Sequence, residues 1–211
     1  MKLLLTLILF IAFSVHAQNE EKVEAQQKAL ETAKQHINDL KNGLLLVRLD
    51  YKTKEITYYE EHGNSKEATN IREKQATVNK EIMNAFQKYY SFSPVYYFSI
   101  DDSRKLLDER YDEIQLLDQF GIRDTTINLR DHTFFVAEFG VANQEHLTAE
   151  DDSEFATKMS INALVIRDKN LVELRDPFPY HVKYSLTSTP KKRYWNPVKK
   201  WQVKLDAFLK E

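Results

Sequence analysis

Two adjacent carboxylates, Asp101 and Asp102, stand where an α/β protein could place a reactive site. They follow the apolar run 95–100, which is typical of a buried strand, and they precede a predicted helix. Ligands of open α/β sheets bind beyond the carboxyl ends of strands, and two close carboxylates can share a proton or bind a cation. The alternative is structural: Asp102 or Ser103 caps the helix, and Asp101 is a solvated turn residue.

A second polar group lies further along the chain and consists of Arg130, Asp131, His132 and Glu138. Histidine and glutamate can act as acid or base, and an arginine can hold an anionic substrate. If residues 130–132 form a hairpin turn, however, all three face solvent, and Glu138 faces water from its strand. We expect this structural role, because no partner motif accompanies the group.

The acidic residues and histidines do not indicate a metal site. An acidic group at Glu145, Glu150, Asp151, Asp152 and Glu154 could bind calcium, but it lacks the EF-hand spacing and the glycine of the EF-hand turn. We expect a solvated loop there. The six histidines form no HExxH motif, and we predict neither a metal nor a cofactor.

Aromatic side chains are the strongest candidates for a binding surface. Adjacent pairs include Tyr96-Tyr97 and Tyr194-Trp195, and exposed aromatic surfaces bind glycans, peptides or proteins. One member of each pair should nevertheless face the core. Lys191-Lys192-Arg193 precedes the second pair, and in a cytosolic protein such a mixture of basic and aromatic residues would indicate phosphate or nucleic-acid contact. In an exported protein it leaves anionic envelope polymers or a membrane surface as partners. The alternative is a basic loop that leads into a helix whose lysines face water.

The glycine and cysteine counts exclude several kinds of site. The four glycines, at 43, 63, 121 and 140, are too far apart for a phosphate-binding loop or a dinucleotide fingerprint. Without cysteine, the chain has no thiol nucleophile, thiolate metal site, disulfide or lipidated cysteine. We expect Gly43, in the left-handed conformation, and Gly63 to end helices.

Residues 1–17 are typical of a signal peptide. Lys2 precedes an apolar run that ends at Val15, and Val15 and Ala17 are the small residues that signal peptidase reads. A membrane-spanning helix needs about 20 apolar residues, more than this run offers. We therefore predict cleavage before Gln18 and export of a soluble protein without a membrane anchor. Loss of Lys2 changes the net charge from −2 to −3, which does not favour a nucleic-acid partner.

Hydrophobic patterning indicates a single α/β domain over residues 18–211. Apolar residues at three- and four-residue steps predict amphipathic helices, and short apolar runs predict buried strands. The predicted helices are 20–41, 53–62, 65–91, 103–111 and a last helix capped by Asn196, and Asn64 with Glu67 three residues on is an N-capping signal for the third. The predicted strands are 44–49, 95–100, 125–129, 133–139, 162–167 and 171–175, and residues 112–123 are ambiguous. The last four strands should form two hairpins. Together these elements predict a mixed sheet of about five strands flanked by helices.

Two resemblances follow from these elements. The closing order, a hairpin and then a helix, resembles a thioredoxin-like arrangement, although the CxxC motif of thioredoxin chemistry is missing. The runs NGLLLVRL at 42–49, PVYYF at 94–98 and DPFP at 176–179, in this order behind a signal peptide, resemble exported proteins of Bacteroidota bacteria, a family of unknown function. This second resemblance covers most of the mature chain. It implies export and brings no activity or catalytic residues.

Two functions are open from the sequence. The favoured one is a non-catalytic binding or interaction protein of the periplasm or cell envelope, whose partner is an envelope protein, a peptide or a glycan. Its candidate contact residues are Arg130, Tyr96, Tyr97, Tyr194 and Trp195. The alternative is an exported hydrolase in which His132 or Glu138 converges on Asp101 and Asp102 at the end of a strand.

Overall fold

The computed structural model of the chain describes residues 2–142 and 161–210, with side chains from residue 22 onward. Within this part of the chain, the helices are α1 Lys2–Asn42, α2 Thr53–Glu61, α3 Ser65–Tyr89, α4 Ser103–Leu107 and α5 Pro190–Phe208. The strands are β1 Leu44–Leu49, β2 Val95–Ser99, β3 Phe134–Ala142, β4 Ile161–Arg167 and β5 His181–Lys183. The predicted α/β class and the five-stranded mixed sheet are confirmed. The predicted acidic loop between Glu145 and Glu154 lies outside the described residues.

The strands form one sheet in the order β2-β1-β3-β4-β5. β1 pairs in parallel with β2 and with β3, whereas β4 pairs antiparallel with β3 on one side and with β5 on the other. Leu45 of β1 has Val95 on one side and Phe135 on the other. A strand that is enclosed in this way and covered on both faces has no solvated side, which explains the uninterrupted apolar sequence of β1.

Helices α1, α3 and α5 cover one face of the sheet and form the larger core. Each presents an apolar stripe, and the buried members of the three stripes include Leu40, Phe86 and Trp201. The indole Nε1 of Trp201 donates to the carbonyl of Pro179 at 2.8 Å, so its polar atom is satisfied inside the core. The other face is covered by α4 and the long connection 111–131, which bury Leu106 and Leu129 against Val136.

Each of the two predicted hairpins contains one strand that the structure confirms and one that it does not. The strands predicted at 125–129 and 171–175 are not formed. Residues 125–128 form a loop, in which Asp124 Oδ1 accepts hydrogen bonds from the N–H and hydroxyl of Thr126 at 2.8 and 2.7 Å, and Leu129 begins a 3-10 helix. β3 pairs with β1 and β4 instead. After β4, Asp168 Oδ1 accepts from the N–H groups of Asn170 and Val172, and a single bridge joins Arg167 to Glu173 before the chain returns as β5. Side-chain hydrogen bonds to the backbone compete with the ladders in both places.

Several helix ends differ from the predicted ones. α5 begins at Pro190, and Pro197 lies inside it, so Asn196 is not the cap. α4 ends at Leu107 rather than at residue 111, because Glu109 turns the chain with a positive φ of 53°. The N-cap at Asn64 is confirmed, since its Oδ1 accepts from the Glu67 N–H at 3.3 Å.

Gly43 ends α1 for a reason other than the predicted left-handed conformation. Positive φ angles occur at Gly63 and Gly121 among the described glycines, but not at Gly43. A Cβ atom at Gly43 would collide with the backbone carbonyl of Thr133 and lie 2.7 Å from that of Asp39. Glycine is therefore needed at this position to let the end of α1 approach the start of β3.

Candidate functional site

Asp101 and Asp102 do lie at the carboxyl end of β2, but they are engaged separately. Asp101 Oδ2 accepts from the hydroxyls of Thr53 and Ser99, at 2.7 and 3.3 Å. Asp102 forms an ion pair of 2.6 Å with Lys105. Asp102 occupies the N-cap position of α4 without a side-chain capping hydrogen bond. Within these contacts the two carboxylates neither share a proton nor form a joint cation site.

Arg130 and His132 lie far from these carboxylates. His132 precedes β3 next to the start of β1, whereas Asp101 follows β2 where Ser99 pairs with the end of β1. The start and the end of β1 are five residues apart, so His132 and Asp101 are separated by about 16 Å along the strand direction. Arg130 stacks over the Tyr111 ring at 5.3 Å and donates to the Glu109 carbonyl at 2.9 Å. The structure does not bring His132 to Asp101.

Glu138 is buried between two guanidinium groups, so the expectation that it faces water is wrong. Arg48 of β1 donates to its Oε2, and Arg167 of β4 donates to its Oε1 at 2.6 Å. Its side chain is only 10 % exposed. The reason is that β3 is a central strand, flanked on both edges, and not the outer strand of a hairpin. Both carboxylate oxygens are occupied, so Glu138 ties three strands together.

The surroundings of Arg48 show how tightly this cluster is enclosed. Burial lowers the Arg48 pKa below its ordinary value, and the positive charge of Arg167 lowers it further. The negative charge of Asp50 opposes this shift. Arg48 Nη1 lies 3.3 Å from the hydroxyl of Ser103. Arg167 also donates to the Leu171 carbonyl at 3.1 Å. These contacts indicate a structural cross-link at the centre of the sheet.

The aromatic candidates divide between the core and the surface. Tyr97 and Tyr194 are buried. The Tyr97 hydroxyl donates to the Met83 carbonyl at 3.3 Å, and burial raises its pKa. Tyr96 is half-buried on the opposite face of the strand, and burial together with Asp124 and Asp118 raises its pKa. Trp195 is half-buried between α3 and α5.

A groove that sequence reasoning missed runs along the outer side of α3. It consists of two adjoining cavities of about 560 and 430 Å³, which share Gln87 and Gln119 as lining residues. α3 forms one wall, and the connection 117–121 beside the edge strand β2 forms the other. We call this feature the α3 groove. Its larger cavity begins at Tyr51, two residues after β1, and thus lies near the carboxyl end of a parallel strand, where α/β proteins bind ligands.

The larger cavity combines aromatic rings with uncharged amides. Tyr51 and Phe120 supply the rings, and burial raises the pKa of the Tyr51 hydroxyl. The amides are Gln75, Asn79, Asn84, Gln87 and Gln119, and the cations are Arg72 and Lys80. Asn79 is committed to the fold, since its Nδ2 donates to the Asp50 carbonyl at 2.8 Å. The amphipathic pattern of α3 marked these residues only as an exposed polar face.

The wall at 117–121 is held in place by backbone pairing. Leu117 exchanges two hydrogen bonds of 2.8 Å with Tyr97 of β2. Asp118 Oδ1 accepts from the N–H groups of Phe120 and Ile122, both at 2.9 Å. A Cβ atom at Gly121 would lie 3.0 Å from the Met83 side chain, so the tip of this connection rests directly on α3.

Within the described residues, no group of three or more acidic or histidine side chains could hold a metal ion. No helix in the same part of the chain is long and apolar enough to cross a membrane. Comparison of the chain with protein-family models, with curated proteins and with solved structures gave no match.

Proposed function

We propose that this chain is an exported, non-catalytic binding protein of the cell envelope, and that the α3 groove holds a neutral oligosaccharide. The observation that carries the proposal is the lining of the groove. The side-chain amides of Asn84, Gln87 and Gln119 make no hydrogen bond within the described residues. Their amides are thus available to a ligand as both donors and acceptors.

The chemistry of the lining matches that of a sugar chain. Sugar hydroxyls donate and accept hydrogen bonds without charge, as side-chain amides do. The flat apolar side of a sugar ring packs on an aromatic ring. Tyr51 and Phe120 line the larger cavity and supply such rings. Two adjoining cavities that share Gln87 and Gln119 favour a chain of several sugar units over a single small molecule.

An extended peptide fits the groove less well. Peptides that bind beside a sheet usually pair with the free edge of a strand. The edge strand here is β2, and Leu117 already occupies the middle of that edge through both hydrogen bonds with Tyr97. A peptide would have to displace this pairing before it could add a strand.

Calorimetric titration with neutral cello-, chito- and malto-oligosaccharides tests the ligand class. We expect saturable binding to at least one series, with an affinity that rises with chain length until the groove is filled. Asn84→Ala and Gln119→Ala should each weaken binding about tenfold, the effect of one lost hydrogen bond that leaves a partner unpaired. Gln26→Ala, on the exposed side of α1, is the matched control and should bind normally. Binding of extended peptides instead of sugars would overturn the proposal.

The export part of the proposal rests on the apolar run between Lys2 and Val15 and on the small residues before Gln18. Mass spectrometry of the protein isolated from cell-envelope fractions tests it. We expect a chain that begins at Gln18. Recovery of the uncleaved chain from the cytoplasm would contradict export and would leave the sugar-binding test unaffected.

A further inference from the structure

A cationic surface lies between α3 and α5 and is separate from the lining of the α3 groove. It comprises Lys88 and Tyr89 of α3 and Lys191, Trp195 and Lys199 of α5, and we call it the Trp195 face. The Lys88 and Lys191 ammonium groups lie 4.9 and 4.4 Å from the centre of the Trp195 ring. Lys199 lies 6.0 Å from the centre of the Tyr89 ring.

No acidic side chain in the described part of the chain neutralises the charge on this face. Between Asp176 and Asp206 the sequence contains seven lysine and arginine residues and no acidic residue, although the whole chain has a net charge of −2. Lys88, Lys191 and Lys199 form no ion pair with the described residues. Because Lys88 and Lys191 approach one ring, their ammonium groups lie within about 10 Å of each other, inside one Debye length at 0.1 M salt, and they repel.

The position of the lysines on α5 adds to this positive field. Its first turn contains Lys191 and Lys192 and no acidic residue, and Thr189 provides no side-chain cap. The N-terminal end of a helix is its positive end, so cations are unfavourable there. An anion bound at this end of α5 would relieve both the repulsion between the lysines and their conflict with the helix.

We infer that the Trp195 face binds an acidic polysaccharide through the carboxylate or phosphate groups along the polymer. Ammonium groups recognise both kinds of anion as point charges. Lys88, Lys191 and Lys199 on two adjacent helices present a short row of charges, which suits a polymer with repeated anionic groups.

A membrane surface is a poorer match for this face. Interfacial helices insert exposed aromatic or aliphatic side chains into the lipid. Here the Trp195 ring is half-buried, and its centre lies 5.6 Å from the centre of the Tyr89 ring in an edge-to-face arrangement. Two lysine ammonium groups also lie near the Trp195 ring. It therefore cannot enter a bilayer without losing those contacts. The same cover keeps the ring from stacking on the bases of a single-stranded nucleic acid.

Binding of the purified protein to immobilised polygalacturonate and to a phosphorylated mannan tests this inference, with uncharged dextran as the negative probe. We expect binding to at least one of the two acidic polymers at about 50 mM salt and a loss of more than tenfold in affinity at about 300 mM salt. The variant K88Q/K191Q/K199Q should bind about tenfold more weakly or worse. The control K54Q/K66Q/K74Q removes the same charge from exposed positions on α2 and α3 and should bind within twofold of the unaltered protein.

Three results would overturn the inference. They are binding to neither acidic polymer, equal loss of binding in the two triple variants, and stronger binding to phosphatidylglycerol vesicles or to single-stranded DNA than to the polymers. Equal melting temperatures of the two variants would confirm that both are folded. Because the lysines do not line the α3 groove, the titration with neutral oligosaccharides can fail or succeed independently of this result.

Discussion

Arg167 Nε donates a hydrogen bond of 2.6 Å to Glu138 Oε1 across the antiparallel pair β3 and β4. Arg48 of β1 contacts the other oxygen of the same carboxylate. Three neighbouring strands are thus joined by one buried anion and two cations. Removing one partner from such a cluster leaves uncompensated charge in the interior, which costs more than the loss of an exposed pair.

We predict that Glu138→Gln lowers the free energy of unfolding by about 3 kcal/mol, because Arg48 and Arg167 then repel each other without an anion between them. Urea denaturation followed by circular dichroism measures this loss. The control Glu60→Gln breaks an exposed pair with Arg72, whose side chains are 49 % and 51 % exposed, and should cost less than about 1 kcal/mol. Equal losses in the two variants would show that the cluster is not structurally important.

Gly43→Ala should destabilise the protein by about 2 kcal/mol, because the added methyl group overlaps the Thr133 carbonyl, and backbone on both sides must move. Gly63→Ala is a suitable comparison. Nothing lies within 4 Å of a Cβ atom at Gly63, so the cost there is only the strain of a positive φ, about 1 kcal/mol. Thermal melts of both variants measure the two losses of stability. A smaller loss in Gly43→Ala than in Gly63→Ala would refute the close approach of α1 and β3.

Asp118→Ala should weaken oligosaccharide binding without unfolding the protein. The substitution removes the acceptor for the N–H groups of Phe120 and Ile122, so one wall of the α3 groove loses its fixed shape. Faster hydrogen exchange of these two amides would show the loosened loop directly. Asp168→Ala removes the same type of turn after β4, outside the lining of the α3 groove, and should leave binding unchanged. Normal affinity in Asp118→Ala would argue against this loop as a wall of the site.

Stability should fall in mild acid because of His181. Burial lowers the His181 pKa below its ordinary value, and the positive charges of Lys204 and Lys183 lower it further. The negative charges of Asp176 and Glu173 oppose this shift in part. The unfolded chain then binds the proton more tightly than the folded one. Protonation of His181 therefore favours the unfolded state. The free energy of unfolding is highest above about pH 6.5 and decreases as the pH falls below it. Urea midpoints between pH 7.5 and 5.5 should drop less in His181→Gln than in the unaltered protein, whereas His132→Gln, at an exposed position, should change nothing.

The parts of the fold that depend on local sequence could be predicted. The strand 44–49 was predicted with both of its ends, since an apolar run between Gly43 and Asp50 has few other solutions. The Asn64 cap was predicted for the same local reason. Residues 112–123 remained ambiguous, because their shape depends on a bridge to Tyr97, a partner on another element.

The site could not be predicted because it arises from tertiary placement. The polar residues of α3, such as Asn84 and Gln87, look like any solvated helix face until a distant connection forms the second wall. The local sequence predicts an exposed Glu138, because the strands that flank β3 come from distant parts of the chain. Arg48 and Arg167 nevertheless stand inside or at the end of apolar runs in the sequence. Such charges within predicted strands are the signal that could have revealed the buried cluster.

The placement of β1 between β2 and β3 has a consequence for the order in which the protein can assemble. β2 reaches β1 soon after synthesis, but the other edge of β1 waits for residues 134–142. Until then the nascent chain carries an apolar strand with unpaired N–H and C=O groups, which is prone to pair with other chains. A chain that ends before residue 134 should therefore aggregate rather than fold, and the structure can close only when most of the polypeptide is present.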